Sequence, residues 1–206
     1  MKKFELTSEF VTFLGKTLFR IKALVSFGDV AEGELGGFIE RENNLDQSGD
    51  AWVYGDAWVY GDAQVCGDAR VYGDAQVFGD AQVCGDAQVC GDARVYGDAQ
   101  VCGDAQVFGD AQVCGDAQVC GDAQVFGNAW VQNCRDYSAT SCFGSENRTT
   151  TFFRTKDGGI SVRCGCFYGT LREFREKVKE RHGDSRLAKE YLMLADLMEF
   201  RLSKDE

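Results

Sequence analysis

Residues 49–66 read Gly49-Asp50-Ala51-Trp52-Val53-Tyr54, Gly55-Asp56-Ala57-Trp58-Val59-Tyr60, Gly61-Asp62-Ala63-Gln64-Val65-Cys66. This six-residue phrase, Gly-Asp-Ala-x-Val-x, recurs fourteen times and ends at Gln132, with Asn128 in place of Asp in the last copy. An α-helix has ~3.6 residues per turn, so a six-residue beat carries its apolar positions off any single face. A continuous strand fails as well, because a Gly-Asp pair interrupts it at every sixth position. A short strand, Ala-x-Val-x, followed by a Gly-Asp corner satisfies both constraints. Side chains alternate along a strand, so Ala and Val face one way and the two variable positions face the other. Three such rungs close an eighteen-residue triangular coil with Val and Ala inside. The expectation is a parallel β-helix of fewer than five coils, a rod roughly 20 Å long at ~4.8 Å per coil.

The variable positions test the eighteen-residue step. One register holds Gln64, Gln82, Gln100, Gln118 beside Cys66, Cys84, Cys102, Cys120. A second holds Trp52, Arg70, Gln88, Gln106, Gln124 beside Tyr54, Tyr72, Cys90, Phe108, Phe126. The third holds Trp58, Gln76, Arg94, Gln112, Trp130 beside Tyr60, Phe78, Tyr96, Cys114, Gln132. Three faces with separate identities support the coil, although tandem duplication of a longer unit would leave similar columns.

A β-helix leaves open strand edges at its two ends, and uncovered edges invite polymerisation. Both flanks look like covers. Thr17–Leu24 alternates as a strand, and Gly33–Glu40 reads as a turn and a degenerate first rung. Downstream, Thr149–Thr155 and Ile160–Cys166 flank Lys156-Asp157-Gly158-Gly159, a hairpin signal. Thr170 with Glu173 is a capping box that opens a helix to about Arg181, with Leu171, Phe174 and Val178 on one face. A turn at 182–185 leads into a second helix, 186–202, on which Leu187, Tyr191, Leu194 and Met198 recur at helical spacing. The expected fold is therefore mainly β: an N-terminal β cap (1–48), the β-helix (49–132), and a small α+β module (133–206) ending in a helical hairpin.

The pairing of an aliphatic residue with a small residue four places on, as in Val53 with Ala57 and Val59 with Ala63, resembles the hexapeptide-repeat left-handed parallel β-helix family. That resemblance implies left-handed coiling and self-association as a dimer or trimer. The residue after the aliphatic is usually small or acidic in that family and is Tyr, Phe or Cys here. The flanks, Gly-Glu-Leu-Gly-Gly-Phe-Ile-Glu (33–40) and Thr-Lys-Asp-Gly-Gly (155–159) with Cys-Gly-Cys-Phe-Tyr-Gly-Thr-Leu-Arg-Glu-Phe (164–174), are similar to small proteins encoded by bacteriophages and prophages. This second resemblance implies action on a host component inside the bacterium.

The net charge of −11, from 22 basic and 33 acidic residues, argues against direct nucleic-acid binding, which needs clustered Lys and Arg. No apolar run is long enough to span a membrane. The N-terminus lacks the apolar segment of a secretory signal. The expected location is the host bacterial cytoplasm, and the ten cysteines are expected to be reduced thiols.

Acyl transfer on hexapeptide β-helices generally uses a histidine base, and a zinc hydratase of that fold needs several. The single histidine, His182, falls in the helix-helix turn and reads as an exposed turn residue. Cys164 and Cys166, with Cys134 or Cys142, form a thiol group whose spacing lacks a metal knuckle, so hairpin packing is favoured and neither metal nor cofactor is expected. The Cys66 column reads as a flat uncharged interface. The aspartates Asp50, Asp56, Asp62, Asp68, Asp74, Asp80, Asp86, Asp92, Asp98, Asp104, Asp110, Asp116 and Asp122 stack at the corners, where Asx turns are the favoured account. Cation binding and imitation of a nucleic-acid backbone are the alternatives. Trp52, Tyr54, Trp58, Tyr60, Tyr72, Phe78, Tyr96, Phe108, Phe126 and Trp130 are expected to point outward as a binding surface. The favoured function is a non-catalytic, oligomeric, phage-encoded interaction protein that binds and inhibits a host bacterial factor, plausibly one of antiviral defence. A small-molecule binder or acyltransferase-like protein using clefts between subunits is the alternative.

Overall fold

The computed structural model describes residues 2–203. Three strands precede the repeats: β1 (Phe4–Phe13), β2 (Lys16–Ala23) and β3 (Leu35–Ile39). Each repeat then contributes one two-residue strand, from β4 (Trp52–Val53) to β17 (Trp130–Val131). Every rung pairs in parallel with the rung eighteen residues on, for example Gln88 with Gln106 and Val95 with Val113. The strands form three faces, in the orders β3-β5-β8-β11-β14-β17, β4-β7-β10-β13-β16 and β6-β9-β12-β15. The molecule is thus a parallel β-solenoid of about five turns, as the six-residue beat requires. All its repeat alanines and valines, from Ala51 to Val131, are fully buried.

The corners explain the invariant glycine. A turn closes where the Ala117 N–H donates to the Cys114 carbonyl at 3.3 Å. Its first central residue, Gly115, has φ +63°, and the second, Asp116, does not have positive φ, which is the sign pattern of a type II′ turn. Stacking adds a second constraint. At Gly85, φ +71°, a methyl group would lie 3.0 Å from the Gly103 nitrogen of the next coil, so a larger residue meets both a strained backbone and a tight neighbour.

The first coil is longer than the rest, because Phe38 pairs with Trp58 and Leu45 bridges Val65, steps of twenty residues. The expected strand at Thr17–Leu24 is β2, and it forms a hairpin with β1 through Leu14 (φ +48°) and Gly15 (φ +77°), which the sequence reading missed. Two side chains close this end of the rod. Lys3, almost fully buried, donates its Nζ to the carbonyls of Ser48, Gly49 and Ala51 at 3.4, 3.2 and 2.9 Å. Asn44 donates to the carbonyls of Gly61 and Ala63. Each satisfies carbonyls that have no preceding coil to bind.

The terminal module has four antiparallel strands, β18 (Tyr137–Phe143), β19 (Arg148–Arg154), β20 (Ile160–Cys164) and β21 (Phe167–Thr170). The expected hairpin is β19-β20. The reading through Cys166 was too long, because Gly165 (φ +58°) turns the chain into β21. Helices α1 (Leu171–His182) and α2 (Arg186–Leu202) pack on this sheet, and the Thr170–Glu173 capping box forms as expected. Strand β19 lies across the open end of the solenoid: Phe153 sits fully buried in the solenoid core, Thr155 bridges Ala129, and Thr151 Oγ1 accepts from the Gln124 N–H. Below it the Asp136 carboxylate, buried against Arg154, accepts from the N–H groups of Gln132 and Asn133.

Candidate functional site

The solenoid carries the whole net charge of the protein. Its thirteen aspartates face only Arg70 and Arg94 within residues 49–132, which leaves −11, the value for the entire chain, so the flanks together are neutral. The carboxylates lie on the three edges of the prism, and those from Asp56 to Asp122 are exposed. The expected Asx turns do not form among the described residues, and at several corners the N–H groups donate to backbone carbonyls instead. Asp74 and Asp80 N–H groups donate to the carbonyls of Gly91 and Gly97 in the next coil at 3.0 Å, and Gln82 N–H donates to Ala99 at 2.9 Å. Among the described residues, Asp68 alone of the ladder carboxylates accepts a backbone N–H, from Asp50. Asp56 and Asp62 pair with Arg20 and Arg41 at the N-terminal end, and Asp122 meets the Thr149 hydroxyl at the other. Among the described residues, the carboxylates of Asp74, Asp80, Asp86, Asp92, Asp98, Asp104, Asp110 and Asp116 have neither a hydrogen bond nor an ion pair. At one strand spacing, ~4.8 Å, adjacent unit charges repel by about 1 kcal/mol even in water.

The aromatic columns are less exposed than expected. Trp52 is fully buried, wedged edge-on between Phe4 (6.1 Å) and Phe27 (5.4 Å) of the N-terminal cap. Its indole N–H has no hydrogen-bond partner. Tyr60 is also buried, between Phe13 and Phe78. The first coil lies under the cap, and the cap supplies the apolar surface that covers both. Tyr60, Phe78 and Tyr96 stack with centroids 5.0 and 4.9 Å apart and planes within 2° of parallel. Such ladders stabilise the coil itself, as cross-strand pairs do in any sheet. Tyr54 donates its hydroxyl to Asp29, and burial with that carboxylate holds its proton well above the usual phenol range. Burial likewise pushes Tyr72 and Tyr96 up to about 12, and their hydroxyls meet Gln88 and Gln112. Trp58 is half-buried against Phe13. Phe108 contacts Phe126 (4.9 Å), which is covered in turn by the Arg163 guanidinium and Tyr168. Trp130, 37% exposed, is the most open of the ten.

The Cys66, Cys84, Cys102 and Cys120 column lies on the third face beside its glutamines. Burial and the neighbouring thiols push Cys102 up to about 11, and burial raises Cys66 also, so these two thiols stay protonated and weakly reactive near neutrality. Among the described residues, no three His, Cys, Asp or Glu side chains converge as a metal site, and Cys164 instead accepts from the Thr150 hydroxyl at 3.2 Å. His182 is not a free turn residue. It ends α1, half-buried and stacked on Tyr191 at 5.7 Å, on the wall of a cavity inside the terminal module.

Helix α2 has a second apolar surface, which the spacing of its buried stripe does not announce. Met193, Leu197 and Phe200, at i, i+4 and i+7, are 71%, 56% and 85% exposed. No described helix is long and apolar enough to cross a membrane.

A β-solenoid of six-residue rungs, closed at both ends and acidic on its edges, is the class that these features define. The family profile described as the YdcK β-solenoid repeat matches residues 63–79, 87–103, 99–115 and 117–133, within the rod but for Asn133. No curated protein sequence matches the chain.

Proposed function

We propose that the protein is a non-catalytic interaction module whose acidic edges dock against a basic surface of a protein partner. The observation that carries this reading is the set of eight interior carboxylates, exposed, aligned on straight edges, and without any partner inside the chain. They cost stability through mutual repulsion, and no turn depends on them. A basic partner would offset that repulsion, and the field of three parallel ladders would steer such a partner to the rod. A rigid lattice adds little ordering cost on binding, which favours this use of the coil.

The likeness of the flanks to phage-encoded proteins supports a host bacterial factor as the partner, with inhibition as the outcome and the bacterial cytoplasm as the place. Self-association is part of the proposal, and the apolar stripe of α2 supports it better than the aromatic columns do. An acyl-transfer reading fares worse, since a rod without histidine offers no general base. Imitation of a nucleic-acid backbone is a narrower form of the same docking, but a ~4.8 Å carboxylate interval is tighter than the phosphate interval of a duplex strand. The direct test is capture of partners by the tagged protein from nuclease-treated bacterial lysate. A single dominant basic protein, released by rising salt, supports the proposal, whereas recovery of the tagged chain alone would sink it.

A further inference from the structure

We infer that the cavity beneath α1 in the terminal module binds a small carboxylate carrying one aromatic or branched apolar group. The cavity has a volume of ≈ 240 Å³ and lies between the β18–β19 turn, the β20–β21 turn and the C-terminal half of α1. Its floor is aromatic. Phe143 and Phe174 both meet Tyr191 edge-on, at 5.8 and 5.9 Å, and Phe167 leans on Phe174 at 5.6 Å. An apolar cavity of ~150 Å³ holds a benzene ring, so this one has room for a ring and a short acidic tail.

The rim has the opposite character. Arg148, Lys177, Arg181 and His182 stand around it against one acid, Glu146. Lys177 already pairs with Glu180 at 2.8 Å, but among the described residues neither Arg148 nor Arg181 has a carboxylate within ion-pair distance. The C-terminus of α1 places a partial negative charge nearby, and Lys179, Arg181 and His182 in its last turn offset it. Tyr191 supplies a directed group. Its oxygen accepts the Ser145 N–H at 3.1 Å, which leaves the hydroxyl proton available to a ligand acceptor. An apolar floor, unpaired guanidinium groups at the mouth and a positioned O–H donor together suit an organic monoanion and disfavour a neutral or cationic molecule.

This site is separate from the acidic edges and does not depend on the docking reading. The test is calorimetric titration of the full chain with 3-phenylpropionate, its uncharged amide, acetate and inorganic phosphate. The expected result is saturable binding of 3-phenylpropionate, at least roughly tenfold weaker binding of the amide, the difference made by charge-assisted hydrogen bonds, and no measurable binding of acetate. Arg148→Gln with Arg181→Gln should weaken 3-phenylpropionate by a similar factor, while Arg172→Gln, on the exposed side of α1, and Asp92→Asn, on the rod, should leave it unchanged. Absence of saturable binding by 3-phenylpropionate, equal affinity for the amide, or indifference to the arginine pair would overturn the assignment. Preference for phosphate over the aromatic acid would overturn the apolar half of it.

Discussion

The rod and the terminal module bury their interiors by opposite means. In the rod the coils repeat one contact through most of its length: a valine over a valine, an alanine over an alanine, a glycine corner over a glycine corner. The side chains that fill it are small, so the backbone register carries the specificity. In the module the interior is irregular and aromatic, with Phe152, Phe174 and Tyr191 meeting edge to face around a cavity that was not filled. Charge divides along the same line, since the rod holds all of the net −11 and the flanks sum to zero. A repeated lattice offers long, uniform, charged edges; an irregular fold offers concavity. The first suits a macromolecular surface and the second a small molecule.

Rod and module depend on each other most where they meet. Phe153 belongs to the module's sheet yet sits in the rod's core, so Phe153→Ala should cost ~3–5 kcal/mol, read as a lowered denaturant midpoint. A cost near zero would mean that the module does not seal the rod. Next in size, Gly85→Ala should cost ~2–4 kcal/mol because positive φ and the Gly103 backbone both oppose a methyl group. Gly158→Ala, at φ +84° but with open space around it, should cost only ~1–2 kcal/mol. Equal costs would show that coil stacking contributes nothing at the corners. Lys3→Ala should cost ~1–3 kcal/mol by stranding carbonyls at the first coil.

Smaller effects sharpen the picture at the surface. Phe200→Asp on α2 should leave the melting temperature within about 2 °C of wild type, yet shift light-scattering mass to that of a monomer. An unchanged oligomer mass would remove α2 from the assembly. Part of the acid response should come from the N-terminal cap. Burial pushes the Glu40 carboxyl up, but the Lys16 ammonium and the Gly61 N–H outweigh it and hold the group below its usual range. Asp46 is held low by the Ser48 N–H and hydroxyl. Both contributions are complete above the ordinary values, 4.5 for Glu40 and 3.8 for Asp46, and are lost as pH falls below these through the lowered ones. Hydrogen exchange should therefore show the cap opening before the rod's central coils on acidification.

The rod was legible because its contacts recur. A strict six-residue beat fixes the corner, the inward valine and the eighteen-residue column, and each was found where the beat put it. The ends were legible only as covers. Strand β1 escaped notice because Leu14-Gly15 is a weak turn signal, and β18 because Ser138, Thr140 and Ser141 give it no apolar alternation. Burial of Trp52 and Tyr60 depends on Phe4, Phe27 and Phe13, partners distant in sequence that no period announces. The acidic columns were visible, but their freedom was not. At Asp68, Asp74 and Asp80 the corner N–H is taken by a glycine carbonyl of the next coil, a fact of three-dimensional stacking. The cavity was the least legible feature, since Arg148, Cys164, Phe174 and His182 share no motif.

The central claim is that the ladder carboxylates serve binding and not folding. The measurement that tests it is parallel capture from nuclease-treated bacterial lysate by the wild-type chain and by a variant with Asp74, Asp80, Asp92, Asp98, Asp110 and Asp116 changed to Asn, with melting curves on the same samples. The account predicts a variant that melts at or above the wild-type temperature and retains at least roughly tenfold less of the basic protein that wild type captures. A variant that unfolds, or one that holds the same protein in undiminished yield, would contradict it.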